Sequence, residues 1–149
     1  MKRILGSPYE MSLRVLLMLA EAHEQSLTLD KIAVLDFMAV YASDYGLSET
    51  NLHGFSRYRF GEFSGRRELV RNGIKQLVLN GSVDVLPTDN GYEYVISESG
   101  LGFISNMKCD YACTYRKLIS EVLMSVEDKS DQALFGVVSQ RTINSLREG

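Results

Sequence analysis

The sequence predicts a mainly α-helical fold with one small β-hairpin. Three observations lead there. Two apolar stretches at helical spacing come first, over about Pro8 to Glu24 and Leu29 to Tyr45. A third helix pattern follows, with Leu69, Val70, Ile74, Leu77 and Val78 on one stripe and Ser64 placed to cap it. Asn80-Gly81 then supplies a left-handed stop, and two alternating runs, Val83 to Leu86 and Tyr92 to Ile96, flank the turn Pro87-Thr88-Asp89-Asn90-Gly91. Helix, helix, helix, two-stranded wing is the order of a winged helix-turn-helix domain. Further helices extend it at the C-terminal side. The expected division is a winged-helix domain over 1–108 and a helical extension over 109–149 that packs on it or on a partner.

The first helix opens with Ser7-Pro8-Tyr9-Glu10, a capping box in which Glu10 reaches back to the helix start. Met11, Val15, Met18, Leu19 and Ala22 form one stripe, and Leu13, Leu16, Leu17 and Ala20 carry it almost all the way round. A helix apolar on most sides is buried on most sides, by its own core or by a partner. Thr28 is placed to cap the second helix, whose apolar surface is interrupted by Asp36 and, near its end, by Asp44. A carboxylate inside an apolar helix needs a partner, because an unpaired buried charge is very costly.

Leu47 to Phe63 is a long connection for a small domain. It interleaves Arg57 and Arg59 with Tyr58 and Phe60, a pattern that suits a phosphate backbone and stacked bases. The same pattern also suits aromatics pinned to the core beside solvated arginines. Beyond the hairpin, Ser97 opens a helix weakened by Gly100 and Gly102. A longer one runs from Asp110 to about Val126 on Tyr111, Tyr115, Leu118, Ile119, Val122 and Leu123. Asp131 is placed to cap a last short helix, which either docks on a partner or a second copy or folds back.

At 149 residues, with 45% hydrophobic and 23% charged side chains, the chain has the makeup of one soluble globule. The net charge of −3 argues against a protein devoted to coating nucleic acid. The charge is uneven. Residues 53–80 hold six basic and two acidic side chains, whereas both flanking segments are acidic. No signal peptide or membrane-crossing apolar run is seen, so a cytoplasmic protein is expected. Cys109 and Cys113, four apart on a helix, read as two small buried residues in a reducing compartment.

Catalytic motifs are missing. There is no phosphate-binding glycine loop, no HExxH and no CxxC. His23 and His53 are the only imidazoles, and no serine, cysteine or threonine has a recognisable nucleophile setting. The expectation is no enzyme, no metal and no cofactor. The sharper feature is the third helix, where Arg67, Arg71 and Lys75 fall at i, i+4 and i+8 with Arg66 beside them. Together with Arg57 and Arg59 these are the candidate nucleic-acid contacts, meeting phosphates or guanine edges. The competing reading turns Arg66 or Arg67 inward onto Asp36, Asp44 or Glu62 and leaves the rest as a solvated face.

Four stretches also carry a family likeness: SPYEMSLRVLLML (Ser7 to Leu19), LDFMAVYASDYG (Leu35 to Gly46), LHGFSRYRFGEFSGRRELVRNGIKQLVLNGSVD (Leu52 to Asp84) and YEYVISESGLGFISNMKCDYACTYRKL (Tyr92 to Leu118). In order and spacing they resemble the middle component of bacterial three-gene ABC-ATPase systems, a group overlapping the Lamassu-type defence operons. A looser likeness continues over Ser130 to Leu146. The best marks are the apolar first helix, Asp36, Asp44 and GEFSGRRELV. The absence of tryptophan departs from the family's C-terminal part. The resemblance implies a small accessory subunit beside an SMC-like ABC ATPase and an effector, often a nuclease, acting against phage or plasmids. Double-stranded DNA and a second copy of the chain are further candidate partners. The alternative is a free-standing winged-helix transcription regulator binding DNA as a dimer.

Overall fold

A computed structural model describes residues 8–23, 25–41, 63–134 and 136–137. Its elements run α1 (Pro8–Glu21), β1 (Leu27–Thr28), α2 (Leu29–Val40), α3 (Phe63–Leu79), β2 (Val83–Thr88), β3 (Gly91–Ile96), α4 (Glu98–Ser105) and α5 (Asp110–Ser125). The described part is mainly helical with a small antiparallel sheet. Ser7, Asp44, the connection from Leu47 to Glu62 with His53, Arg57 and Arg59, and the chain beyond Val137 lie outside the described residues.

α1 is the central helix. Met11, Val15, Leu17, Met18 and Leu19 are sealed from solvent, and the helix packs against α2, α3, α4 and α5. Its nearly all-round hydrophobicity is therefore used within this chain. α1 ends at Glu21, three residues before the expected end at Glu24, where His23 takes a left-handed φ of 61° and turns the chain toward β1. α2 starts at the expected cap: the Thr28 hydroxyl accepts the Lys31 amide at 3.1 Å. α3 begins at Phe63, so Ser64 falls inside the helix rather than ahead of it.

Gly81 closes α3 with φ +82°, as Asn80-Gly81 predicted, and the hairpin follows in the expected place. Its register pairs Val83 with Ile96 and Val85 with Tyr94. The sheet has one strand more than the hairpin. β1 pairs antiparallel with β3, Leu27 opposite Tyr94, giving the order β1-β3-β2. Two residues are too short a run to show a period of two in sequence, which is why this strand was not anticipated.

Ser97 caps α4 by accepting the Gly100 amide, and Gly100 has a positive reason to be glycine. A Cβ there would stand 2.3 Å from the Ser82 carbonyl oxygen and 2.8 Å from Ile96. α5 lays Ala112, Tyr115, Leu118, Ile119 and Val122 against α1 and α2. The cysteines correct the sequence reading, since both are exposed. Cys109 precedes α5 as its cap residue, and Cys113 sits off the apolar stripe. After α5 the Ser130 hydroxyl, rather than Asp131, accepts an amide of the next helical turn, from Ala133 at 3.1 Å. Asp131 instead accepts from the Thr28 hydroxyl, and Leu134 of that turn is buried. Among the described residues no helix is long and apolar enough to cross a membrane.

Candidate interaction surfaces and the ion cluster beneath them

Asp36 sits at the middle of α2 with no exposure at all, and four donors converge on its carboxylate. Oδ1 accepts Arg14 Nε at 2.8 Å and the Tyr115 hydroxyl at 2.7 Å. Oδ2 accepts Arg66 Nη1 at 2.7 Å and Arg14 Nη2 at 3.3 Å. Arg14 also donates through Nη1 to Glu10 at 2.7 Å and to the Tyr111 hydroxyl at 3.3 Å, and Tyr111 donates to Glu10 at 2.7 Å. Among the described residues two guanidiniums thus face two carboxylates, a set with no net charge. Arg66 adds a cation–π contact, its guanidinium carbon 5.4 Å from the Phe37 ring centroid, while its Nε has no hydrogen-bond partner among the described residues.

Burial alone would drive the Asp36 carboxyl up. The charges of Arg14 and Arg66, with the hydrogen bonds from Arg14 and Tyr115, outweigh it and hold the group down at about 2. Burial pulls the Arg14 guanidinium down, but Asp36 more than compensates and raises it above its ordinary value. Burial and the neighbouring Asp36 charge both push the Tyr115 phenol well up, so it stays a neutral donor. Burial likewise raises Tyr111. Asp36, Arg14 and Tyr115 at its heart are closed to solvent, and what the cluster does is fasten α1, α2, α3 and α5 to one another.

Sequence reasoning singled out Asp36 and Arg66, and the structure brings them together. It did not single out Arg14, Tyr111 or Tyr115. A signal existed for each. Arg14 is the one cation inside an otherwise apolar helix, four residues after Glu10, and Tyr111 and Tyr115 are four apart on α5. Glu10 accepts from Arg14 and Tyr111; the helix start at Ser7, toward which it was expected to reach, lies outside the described residues.

The remaining candidates separate from Arg66. Arg66 is 7% exposed and faces the core, so it is not on the outer basic face where the nucleic-acid reading put it. Arg67 points outward, its Nε donating to Asp30 of α2, and this bond is the main cause of its raised pKa. Arg71 pairs with Glu68 at 3.1 Å, both half in water. Lys75 is exposed. No lysine or arginine occurs from Gln76 through Met107, so the hairpin and α4 carry none.

Two concave surfaces flank α3. A groove of about 400 Å³ opens between α1, α3 and α4, with Tyr9, Leu13, Leu16, Leu77 and Phe103 along it and, among the described residues, no charged side chain in its lining. A shallower trough of about 290 Å³ runs between α3 and the hairpin.

Against this geometry, a family model matches residues 4–148; its description is ABC-three component (ABC-3C) system Middle Component 2. The chain belongs to that family. No curated protein and no solved structure matches it. The middle component is thereby part of a multi-component ABC system.

Proposed function

We propose that this middle component is a non-catalytic winged-helix adaptor. In this reading it bridges an SMC-like ABC ATPase and an effector nuclease within a Lamassu-type complex that defends the cytoplasm against phage or plasmids. The observation that carries the reading is the family match, which spans nearly the whole chain. The winged-helix part draws support from the element order α1, β1, α2, α3, β2, β3 and from the β1-β3-β2 sheet. The non-catalytic part draws support from where the strongly perturbed ionisable groups lie. Asp36, Arg14 and Tyr115 are buried and spent on one another inside the core.

The regulator alternative has less behind it. Arg66 is turned inward, Arg67 and Arg71 each hold a carboxylate, and the hairpin offers no cation to a phosphate. The test is co-expression of the chain with its operon neighbours and purification through a tag on the ATPase. Retention of the chain at fixed stoichiometry is expected. A chain that purifies alone, and footprints its own promoter, would overturn the adaptor reading.

A further inference from the structure

The trough between α3 and the hairpin has a specific chemistry. Val85 and Tyr94 are partners in the register, and a strand alternates its side chains between two faces. Val83, Val85, Pro87, Tyr92 and Tyr94 therefore share the sheet face toward α3, and none is charged. Asp84 and Glu93 belong to the opposite face. From α3 the trough receives Ile74, Val78 and Leu79, with Leu29 at its end. Leu79 is 72% exposed and Tyr92 65%, high values for large apolar side chains beside a concave surface. One edge is basic, formed by Arg71 and Lys75 one turn apart. The opposing sheet edge has no cation. A duplex carries phosphates along both sides of its grooves, so a helix and wing that grip one gain from cations on each. Here charge stands on one side and apolar surface on the other.

We infer that this trough is the docking site for an acidic amphipathic helix of a partner subunit, seated with its apolar ridge against Leu79, Val85 and Tyr94 and its carboxylates over Arg71 and Lys75. A helix with apolar residues at i, i+3 and i+4 and acids beside them matches both features at once. Lys75 meets such a carboxylate without giving up a partner of its own, and Arg71 exchanges the solvated Glu68 for a desolvated one. The described residues of the α1–α4 groove are uncharged and provide no comparable indication of what would fill it. The inference rests on the adaptor reading and adds to it the surface and the chemistry of the partner.

The test uses the full-length chain and the purified ATPase and effector subunits of its own system. A photo-crosslinking amino acid replaces Leu79, and the captured peptide is sequenced. Affinity for the partner subunits is measured for Leu79→Asp, for Lys75→Glu, and for Met124→Asp on α5 as a control, with circular dichroism to verify folding. Binding of a 30-bp duplex is followed in parallel. The expected result is a crosslink to a peptide with acids flanking apolar residues. Leu79→Asp and Lys75→Glu should each weaken subunit binding at least tenfold, with the control within twofold. An intact assembly that ignores both substitutions overturns the inference and spares the adaptor reading. So does a basic crosslinked peptide, or a loss confined to duplex binding. Failure of the unsubstituted chain to bind either subunit overturns both.

Discussion

Arg66 and Arg67 are consecutive residues of one helix, and they live in different electrostatic worlds. Arg66 is turned into the core, where it shares Asp36 with Arg14 and lies over Phe37. Arg67 is half in water and touches Asp30 across the surface. Both count as arginine–carboxylate pairs. The first is held in a low-dielectric interior, where removing one partner strands charge. The second is surrounded by solvent and ions that would replace its partner at little cost. A helix turn of about 100° per residue is enough to move a guanidinium from one regime to the other. A basic stripe read from sequence spacing thus mixes two functions, one of fastening and one of display.

Asp36→Ala should expose this difference most strongly. It leaves Arg14 and Arg66 buried with their shared anion gone, and a loss of about 3–5 kcal/mol in urea unfolding is expected. The acid limb sharpens the point. Because the folded carboxyl is held at about 2 against an ordinary value of 3.8, Asp36 contributes stability above the ordinary carboxylate range and loses it as the pH falls toward 2. The contribution at neutral pH is about 2 kcal/mol. Asp36→Ala should therefore flatten the fall of stability between pH 4 and pH 2, on the order of that range, and a variant that unfolds in acid like the parent would refute the charge account.

Tyr115→Phe keeps the packing of α5 and removes one of the four bonds to Asp36. A loss of about 1–2 kcal/mol is expected in the same assay, intermediate because the three arginine bonds remain. Arg67→Ala should stay within about 0.5 kcal/mol of the parent. If it costs as much as Tyr115→Phe, the surface pair is not the solvated contact described above and the contrast collapses.

Much of the fold was readable because the residues announce it. Thr28, Ser97 and Asn80-Gly81 mark element ends by local bonding, and Val83 to Ile96 alternates as a hairpin must. Asp36 was readable as a problem in need of a partner, since a carboxylate beside Leu35, Phe37 and Val40 is either exposed or paired. Its principal partner was hidden. Arg14 looks like the polar side of an amphipathic helix, and only the crossing of α1 with α2 brings its Nε to Asp36. Tyr115 was counted as a core residue, and its hydroxyl has no sequence signature apart from the acceptor it meets 79 positions away. The cysteines were misjudged for a related reason. A small apolar residue on a helix says nothing of which side it takes until the stripe of Ala112, Tyr115 and Ile119 is placed. The trough escaped notice because Leu79 scans as a continuation of the buried stripe, although the helix ends there and leaves it uncovered.

Position 100 carries one last consequence. The Ser82 carbonyl occupies the space a methyl would need, so α4 is seated directly on the root of the hairpin. Phe103, carried on α4, lines the other concavity, so the tight seat at Gly100 fixes where that side chain stands relative to the hairpin.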